Sequence, residues 1–167
     1  MTYAQQPPIG QSDWTISQIH ELFDLAMADE ILKSLIGYRI GRGVSREVFE
    51  MSHNPDLVLK IENMSKGWFA NIAEYQTWNS VKGTPYERWF APVHSLTVGG
   101  LMLVQSKTKP PAVRDLPAEI PAVFSDVGMK NFGMFEGRLV CHDYALMQNR
   151  FWLNPKQKMK MQKAFWS

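Results

Sequence analysis

The chain has 167 residues, 45% of them hydrophobic and 20% charged, a composition typical of globular proteins. A net charge of +2 is too small to indicate nucleic-acid binding. The single cysteine, Cys141, excludes an intramolecular disulfide and favours a reducing compartment. Since no apolar run reaches membrane-spanning length and the polar start does not resemble a signal peptide, we expect a cytoplasmic protein.

The beginning of the chain predicts a polar lead-in followed by an amphipathic helix. Residues 1–11, MTYAQQPPIGQ, are expected to be flexible. Asp13 can cap a helix whose apolar residues recur at helical spacing. We therefore expect a helix within residues 12–36 that ends near Gly37 and packs on the following sheet.

The next stretch, YRIGRGVSREVFEMSHNPDLVLKIE, predicts strands around a glycine-containing turn. Two β-type runs flank Gly41 and Gly43, and Lys60 lies near the end of a later apolar strand. A lone G-x-G is as often an ordinary turn as a loop that lays backbone N–H groups over phosphates. A lysine in an apolar strand needs an anionic partner or access to solvent. Lys60 is therefore either an anion-binding residue or an edge-strand side chain that points at water.

One helix and two more strands are predicted next. The segment SKGWFANIAEYQTWNSV predicts a helix with Ser65 as a candidate cap. Glu74 lies within its broad apolar face, and the alternative for Glu74 is a solvated helix carboxylate. Strands are expected at Val93–Leu96 and Leu101–Gln105. Residues 37–105 then form a five-stranded antiparallel sheet with one helix, and residues 106–167 begin with a proline-punctuated linker.

The stretch SDVGMKNFGMFEGRLVCHDYA predicts a β-hairpin turning at Glu-Gly. Asp126 precedes it, Asn131 follows five residues later, and Asp143 lies twelve residues beyond Asn131. A three-residue loop pairs Asn131 with Asp143, whereas a two-residue loop puts His142 opposite Asn131. In both registers an amide and a carboxylate meet at the open end, an oxygen set suited to Mg²⁺. The alternative is a surface hairpin with polar residues at its turns.

The C-terminal segment NPKQKMKMQKAFW predicts a short helix in which four lysines lie beside apolar side chains. Two roles are open for it: a solvated terminal helix with one docked face, or a basic and aromatic surface that docks to a protein partner.

The order of these features resembles the protein kinase-like fold. A G-x-G, a strand lysine, a helix glutamate, Asp-x4-Asn and an Asp at the end of a hairpin follow one another as in that family, over about residues 36–147. The local sequences GRGVSREVF, NIAEYQTW and DVGMKNFG with HDYA most resemble those of compact kinase-like proteins of phages and prophages. The resemblance implies an α+β fold: a small lobe with a five-stranded antiparallel sheet and helix C, plus a large lobe truncated to its catalytic loop and hairpin.

The resemblance also implies a set of nucleotide contacts. Gly41 and Gly43 would cover the phosphates of ATP, and Lys60 would hold them. Val104 and Gln105 fall where the family's hinge meets the adenine.

For the chemistry, the resemblance implies that Glu74 orients Lys60. Asp126 would be the base or orienter of the acceptor hydroxyl, with Asn131 and Asp143 as Mg²⁺ ligands.

The sequence departs from the family at several motifs. Arg46 stands where the third glycine of the loop is expected, Phe124 and Ser125 replace the first two residues of H-R-D, and Ala145 replaces the glycine of D-F-G. No A-P-E element follows, and the length leaves no room for a helical large lobe unless a second subunit supplies one.

Three hypotheses follow. The first is an active phosphotransferase that uses Mg-ATP. The second is a pseudokinase that acts by docking to a partner, such as a host protein during phage infection. The third is an α+β interaction domain in which the motif order is coincidence.

Overall fold

The chain divides into two units, residues 1–35 and residues 36–167. The computed structural model describes residues 25–63, 67–145, 147 and 158–166, with the backbone alone at 25–28. In the first unit, helix α1 spans Leu25–Leu35 and ends two residues before Gly37, close to its predicted end. The predicted flexible lead-in and the predicted start of this helix lie outside the described residues. Within the described ranges, no helix is long and apolar enough to cross a membrane.

A five-stranded antiparallel sheet is the centre of the second unit. Its strands are β1 (Ile36–Arg42), β2 (Arg46–Met51), β3 (Asn54–Glu62), β4 (Val93–Leu96) and β5 (Met102–Ser106), in the spatial order β1-β2-β3-β5-β4. Helix α2 (Ala70–Val81) lies between β3 and β4 in the chain. The predicted α+β class and antiparallel five-stranded sheet are confirmed. Strand β4 has its predicted bounds, and β5 begins one residue later than expected.

Helix α2 begins later than the sequence predicted. Phe69 has a left-handed backbone with φ of 51°, a conformation that a right-handed helix cannot include. The side chain of Glu62, at the end of β3, accepts hydrogen bonds from the N–H groups of Ala70 at 2.6 Å and Asn71 at 2.9 Å. A carboxylate from the sheet therefore provides the N-terminal cap. Ser65, the predicted cap, lies outside the described residues.

Two short antiparallel pairs complete the second unit: β6 (Glu119–Pro121) with β9 (Met161–Lys163), and β7 (Phe132–Phe135) with β8 (Arg138–Cys141).

The turn of the β7–β8 hairpin decides between the two predicted registers. Glu136 and Gly137 both have positive φ, 49° and 75°, as a two-residue type I′ turn requires. His142 consequently lies opposite Asn131, and its N–H donates to the Asn131 carbonyl at 2.8 Å. The Asp143 N–H approaches the same carbonyl at 3.4 Å. The open end of the hairpin thus brings Asn131 and Asp143 together without pairing them directly.

The predicted C-terminal helix is wrong for the residues described there. Residues 161–163 form strand β9, which pairs with β6. The Trp166 indole N–H donates to the Pro117 carbonyl at 2.9 Å, and its ring packs edge-on against Phe132 with 5.2 Å between centroids. A β-ladder and a half-buried aromatic anchor outweigh the local helical preference of the lysine- and methionine-rich sequence.

A series of aromatic contacts packs the β7–β8 hairpin and its flanking segments against Phe90, which lies shortly before β4. Phe90 contacts both Phe124 and Tyr144, with ring centroids 5.1 and 5.0 Å apart, and Phe124 contacts Phe132 at 5.3 Å. All four side chains are buried. Because Phe124 lies two residues before Asp126 and Tyr144 directly follows Asp143, this core fixes the backbone on both sides of the predicted site.

Candidate functional site

Glu74 is the centre of the candidate site. Alternation along the strands puts Arg46 of β2 and Lys60 of β3 on the sheet face that carries α2. The Glu74 side chain, on α2, is fully buried. Its Oε1 accepts from Lys60 Nζ at 2.5 Å and from Gln105 Nε2 at 3.1 Å, and its Oε2 accepts from an Arg46 Nη at 3.0 Å. The carboxylate is therefore held by two cations and an amide.

Lys60 links this helix to the hairpin. Its strand neighbours Val58 and Leu59 are buried, and Lys60 itself is 4% exposed. Besides Glu74, the ammonium donates to the main-chain carbonyl of His142 at 2.5 Å. The ion pair implied for Lys60 and Glu74 is present, and the alternative of an edge lysine pointing at water is excluded.

Arg46 bridges two carboxylates. The same Nη atom that contacts Glu74 donates to Asp143 Oδ1 at 2.7 Å, and the other Nη donates to Asn71 Oδ1 at 3.3 Å. Arg46 is 7% exposed, whereas the Asp143 side chain is 55% exposed. The guanidinium of Arg46 is thus already bound to the carboxylate of Asp143, which the sequence predicted to bind magnesium.

Asn71 fixes the position of Arg46 relative to the sheet. It lies one helical turn before Glu74 and is fully buried. Its Nδ2 contacts the carbonyls of Lys60, Gly100 and Leu101 at 3.0–3.1 Å. With its amide nitrogen on the backbone of β3 and of the turn between β4 and β5, Asn71 presents its oxygen to Arg46 and helps to hold the guanidinium beside Glu74 and Asp143.

The charges of the cluster shift one another's pKa values. Burial raises the pKa of Glu74, but the charges of Arg46 and Lys60 outweigh burial and the net pKa lies below its ordinary value. Burial, helped by the charge of Arg46, lowers the pKa of Lys60 although Glu74 opposes the change. Burial lowers the pKa of Arg46, but the attraction of Glu74 and Asp143 outweighs burial and the net pKa is raised. Titratable groups shifted by burial and specific charge partners are a marker of functional sites.

The segment that follows the hairpin is anchored by His142. Its Nε2 lies 2.9 Å from the Lys130 carbonyl and its Nδ1 lies 2.7 Å from the Thr108 hydroxyl oxygen. Because a carbonyl only accepts, Nε2 carries the hydrogen and Nδ1 accepts from Thr108. Burial and the nearby charge of Lys60 lower the pKa of His142, which favours this neutral ring. His142 therefore orients the carbonyl that binds Lys60.

Asp126, Asn131 and Asp143 line a single pocket of about 120 Å³. Asp126 is exposed, and its Oδ1 accepts from the Gly128 N–H at 3.1 Å. Asn131 is buried, at 6% exposure. The pocket floor includes Cys141, whose pKa burial raises well above its ordinary value. Cys141 is therefore a neutral buried thiol, and the polar side chains that line the pocket are those of Ser125, Asp126, Asn131 and Asp143.

The pocket presents an amide and a carboxylate, on Asn131 and Asp143, of the oxygen type that Mg²⁺ prefers. Among the described residues, no group of three or more His, Cys, Asp or Glu side chains is arranged to hold a metal. Mg²⁺ is usually bound by one or two protein oxygens plus phosphates and water. Asn131 and Asp143 can supply that number, and the Arg46 guanidinium on Asp143 demonstrates that this carboxylate accepts a cation.

The predicted phosphate-covering glycines lie in the β1–β2 hairpin, where neither is required sterically. Both have negative or extended φ. A Cβ added at Gly41 would meet Val48 at 3.6 Å, and one at Gly43 would meet only the Arg46 carbonyl at 3.6 Å. The Gly43 N–H donates to that carbonyl at 2.8 Å, so in this structure it closes the turn and does not point at a ligand.

The predicted adenine contact at Val104 and Gln105 stays a prediction, and the structure shows what surrounds these two residues. Both residues lie in β5, which pairs with β3 on one side and β4 on the other, so the β-ladders occupy their backbone groups. The Gln105 side chain is buried against Glu74. The Gln105 side chain therefore belongs to the ion-pair cluster around Glu74.

Sequence reasoning missed the roles of Arg46, Asn71 and Glu62. Arg46 was noticed only because it replaces a glycine. Two signals could have found the set: the period-2 alternation that puts Arg46 on the same face as Lys60, and the i, i+3 spacing of Asn71 and Glu74 on one helix face.

Neither a protein-family model nor a curated protein sequence matches this chain, so the chemistry of the site rests on its own geometry.

Proposed function

We propose that this chain is a minimal kinase-like protein that binds Mg-ATP beside the Lys60–Glu74 ion pair and transfers its terminal phosphoryl group. The observation that carries the proposal is one continuous network: Glu74 binds Lys60, Lys60 binds the His142 carbonyl, and the next residue, Asp143, lines a pocket with Asp126 and Asn131. This is the set that the kinase-like motifs bring together.

The free energy needed to bury these charges favours a functional role for the cluster over a purely structural one. Burying an ion pair requires removing both charges from water, and well-packed apolar residues of similar volume are often as stable or more so. The pair between Lys60 and Glu74 is almost fully buried and forms part of a larger network. A fold stabilised by its core alone has no need of a lysine that reaches the backbone beside an exposed aspartate.

Each residue has a distinct role in the proposed reaction. Bound magnesium would neutralise charge on the nucleotide phosphates, held by Asn131 and Asp143. Lys60, kept in position by Glu74, would pair with phosphate oxygens. Asp126 lies on the exposed side of the same pocket, where its carboxylate can accept the proton of an acceptor hydroxyl.

Calorimetry with ATP, with and without Mg²⁺, tests the proposal. Wild-type protein should bind ATP more tightly when Mg²⁺ is present. Asp143→Asn should remove the magnesium-dependent part of the affinity, and Lys60→Met should weaken binding in both conditions. Asp56→Asn and Lys82→Met, which change exposed residues of the same charge, are the matched controls. Absence of heat and of a thermal shift with wild-type protein would overturn the proposal.

A second candidate function, a pseudokinase-type binding module without catalysis, is favoured by two observations. Arg46 already neutralises Asp143, and the Gly43 N–H is already used inside its turn. Under this alternative, the protein acts by docking to a partner, with or without bound nucleotide, and transfers no phosphoryl group. Incubation with γ-labelled ATP and Mg²⁺ separates the two functions, because label on the protein, an acceptor or water requires transfer.

A further inference from the structure

We infer that Arg46 is a built-in stand-in for the metal cation, which holds Asp143 until magnesium arrives with the nucleotide. The inference rests on the proposed metal-binding role of Asn131 and Asp143. It adds that the ion pair between Arg46 and Asp143 must open before Asp143 can bind a metal.

The geometry gives Arg46 two unequal partners. Its contact with Glu74 is fully enclosed, whereas its contact with Asp143 involves a side chain that is 55% exposed and faces the pocket. The arginine stays anchored through Glu74 and Asn71 if the outer contact breaks. Asp143 is therefore the partner that can be exchanged, and Glu74 is the one that remains.

Charge balance explains why metal and nucleotide should arrive together. Two cations, Arg46 and Lys60, face the carboxylates of Glu74 and Asp143. A third carboxylate near Arg46, that of Glu62, accepts hydrogen bonds from the N–H groups that begin α2. A divalent ion alone would leave Arg46 without its outer partner and beside another cation. Nucleotide phosphates supply the missing negative charge and offer the guanidinium a bidentate partner. Arg46 thus makes metal binding depend on the nucleotide.

Binding of Mn²⁺ alone, followed by electron paramagnetic resonance, tests this inference without nucleotide. Arg46→Gln keeps a hydrogen-bonding group and removes the charge. It should tighten Mn²⁺ binding on the order of tenfold or more, because removing a cation close to a carboxylate relieves strong repulsion of an incoming ion. The control is Arg42→Gln, which removes an exposed arginine from the same hairpin and should leave Mn²⁺ binding unchanged. Adding Asp143→Asn to Arg46→Gln should abolish the gain.

A conservative variant keeps the test decisive if Arg46→Gln does not fold. In Arg46→Lys the shorter ammonium can stay with Glu74 and release Asp143, so Mn²⁺ binding should again tighten. Equal Mn²⁺ affinity in wild type and in whichever variant folds would overturn the inference, and so would a gain that survives Asp143→Asn. If Mn²⁺ binding tightens but wild-type protein fails to bind Mg-ATP, the competition between Arg46 and a metal for Asp143 stands, whereas its dependence on nucleotide and the proposed function both fail.

Discussion

Replacing Glu74 with glutamine should destabilise the protein strongly, although the change is nearly isosteric. Glu74 is fully buried and accepts hydrogen bonds from two cations, Lys60 and Arg46. Glutamine would leave Lys60 buried without an anionic partner. Removing one member of a buried ion pair costs roughly 3–5 kcal/mol of the free energy of unfolding, a large part of the roughly 5–15 kcal/mol typical of a folded domain.

Urea denaturation measures this loss. With a urea dependence of about 1–3 kcal/mol per molar, the unfolding midpoint should fall by about 1 M or more. Adding Lys60→Met to Glu74→Gln should recover part of the loss, because it removes the buried unpaired ammonium. Glu119→Gln, at an exposed position, is the control. The reasoning is refuted if Glu74→Gln shifts the midpoint no further than Glu119→Gln does.

Three further predictions concern the hairpin and its surroundings. Because the pKa of His142 lies below its ordinary value of 6.5, its contribution to stability is complete above about pH 6.5 and is lost as pH falls through the folded-state pKa. His142→Gln should therefore flatten this part of a curve of unfolding free energy against pH, whereas His53→Gln, at an exposed position, should not. Asp126→Asn should leave ATP affinity nearly unchanged in calorimetry and slow single-turnover phosphoryl transfer by roughly 10²–10⁴-fold; equal rates would remove Asp126 from the chemistry. Gly133→Ala puts a Cβ 2.3 Å from a threonine hydroxyl oxygen and should cost roughly 1–3 kcal/mol in thermal unfolding, whereas Gly99→Ala meets nothing within 4 Å and should cost far less.

The ion pair between Lys60 and Glu74 could be predicted because each is a charged residue within an apolar stretch of sequence. A lysine in an apolar strand and a glutamate on an apolar helix face each need a partner, and their order along the chain matched a known arrangement. Arg46 could not be predicted in the same way. Its contacts with Glu74 and Asp143 span 28 and 97 residues of sequence and depend on strand register and on where the hairpin packs.

The two clearest differences from expectation have local physical causes. Strand β9 forms because residues 119–121, about 40 positions earlier, pair with it. The helical propensity of the C-terminal residues alone cannot reveal that partner. The hairpin register depends on Glu136 adopting a positive φ, which is uncommon for a residue other than glycine, asparagine or aspartate. Sequence therefore left two registers open, and the turn decided between them.

Nuclear magnetic resonance with Mn-ATP tests the central claim most directly, since a bound paramagnetic ion broadens the signals of nearby amides. With ¹⁵N-labelled protein, substoichiometric Mn-ATP should selectively broaden the amides of Asn131 and Asp143, while Mg-ATP should shift them without broadening. The exposed amide of Val98, in the β4–β5 turn, should stay sharp. Uniform broadening, or broadening confined to residues outside the pocket, would contradict a magnesium–nucleotide site at Asn131 and Asp143.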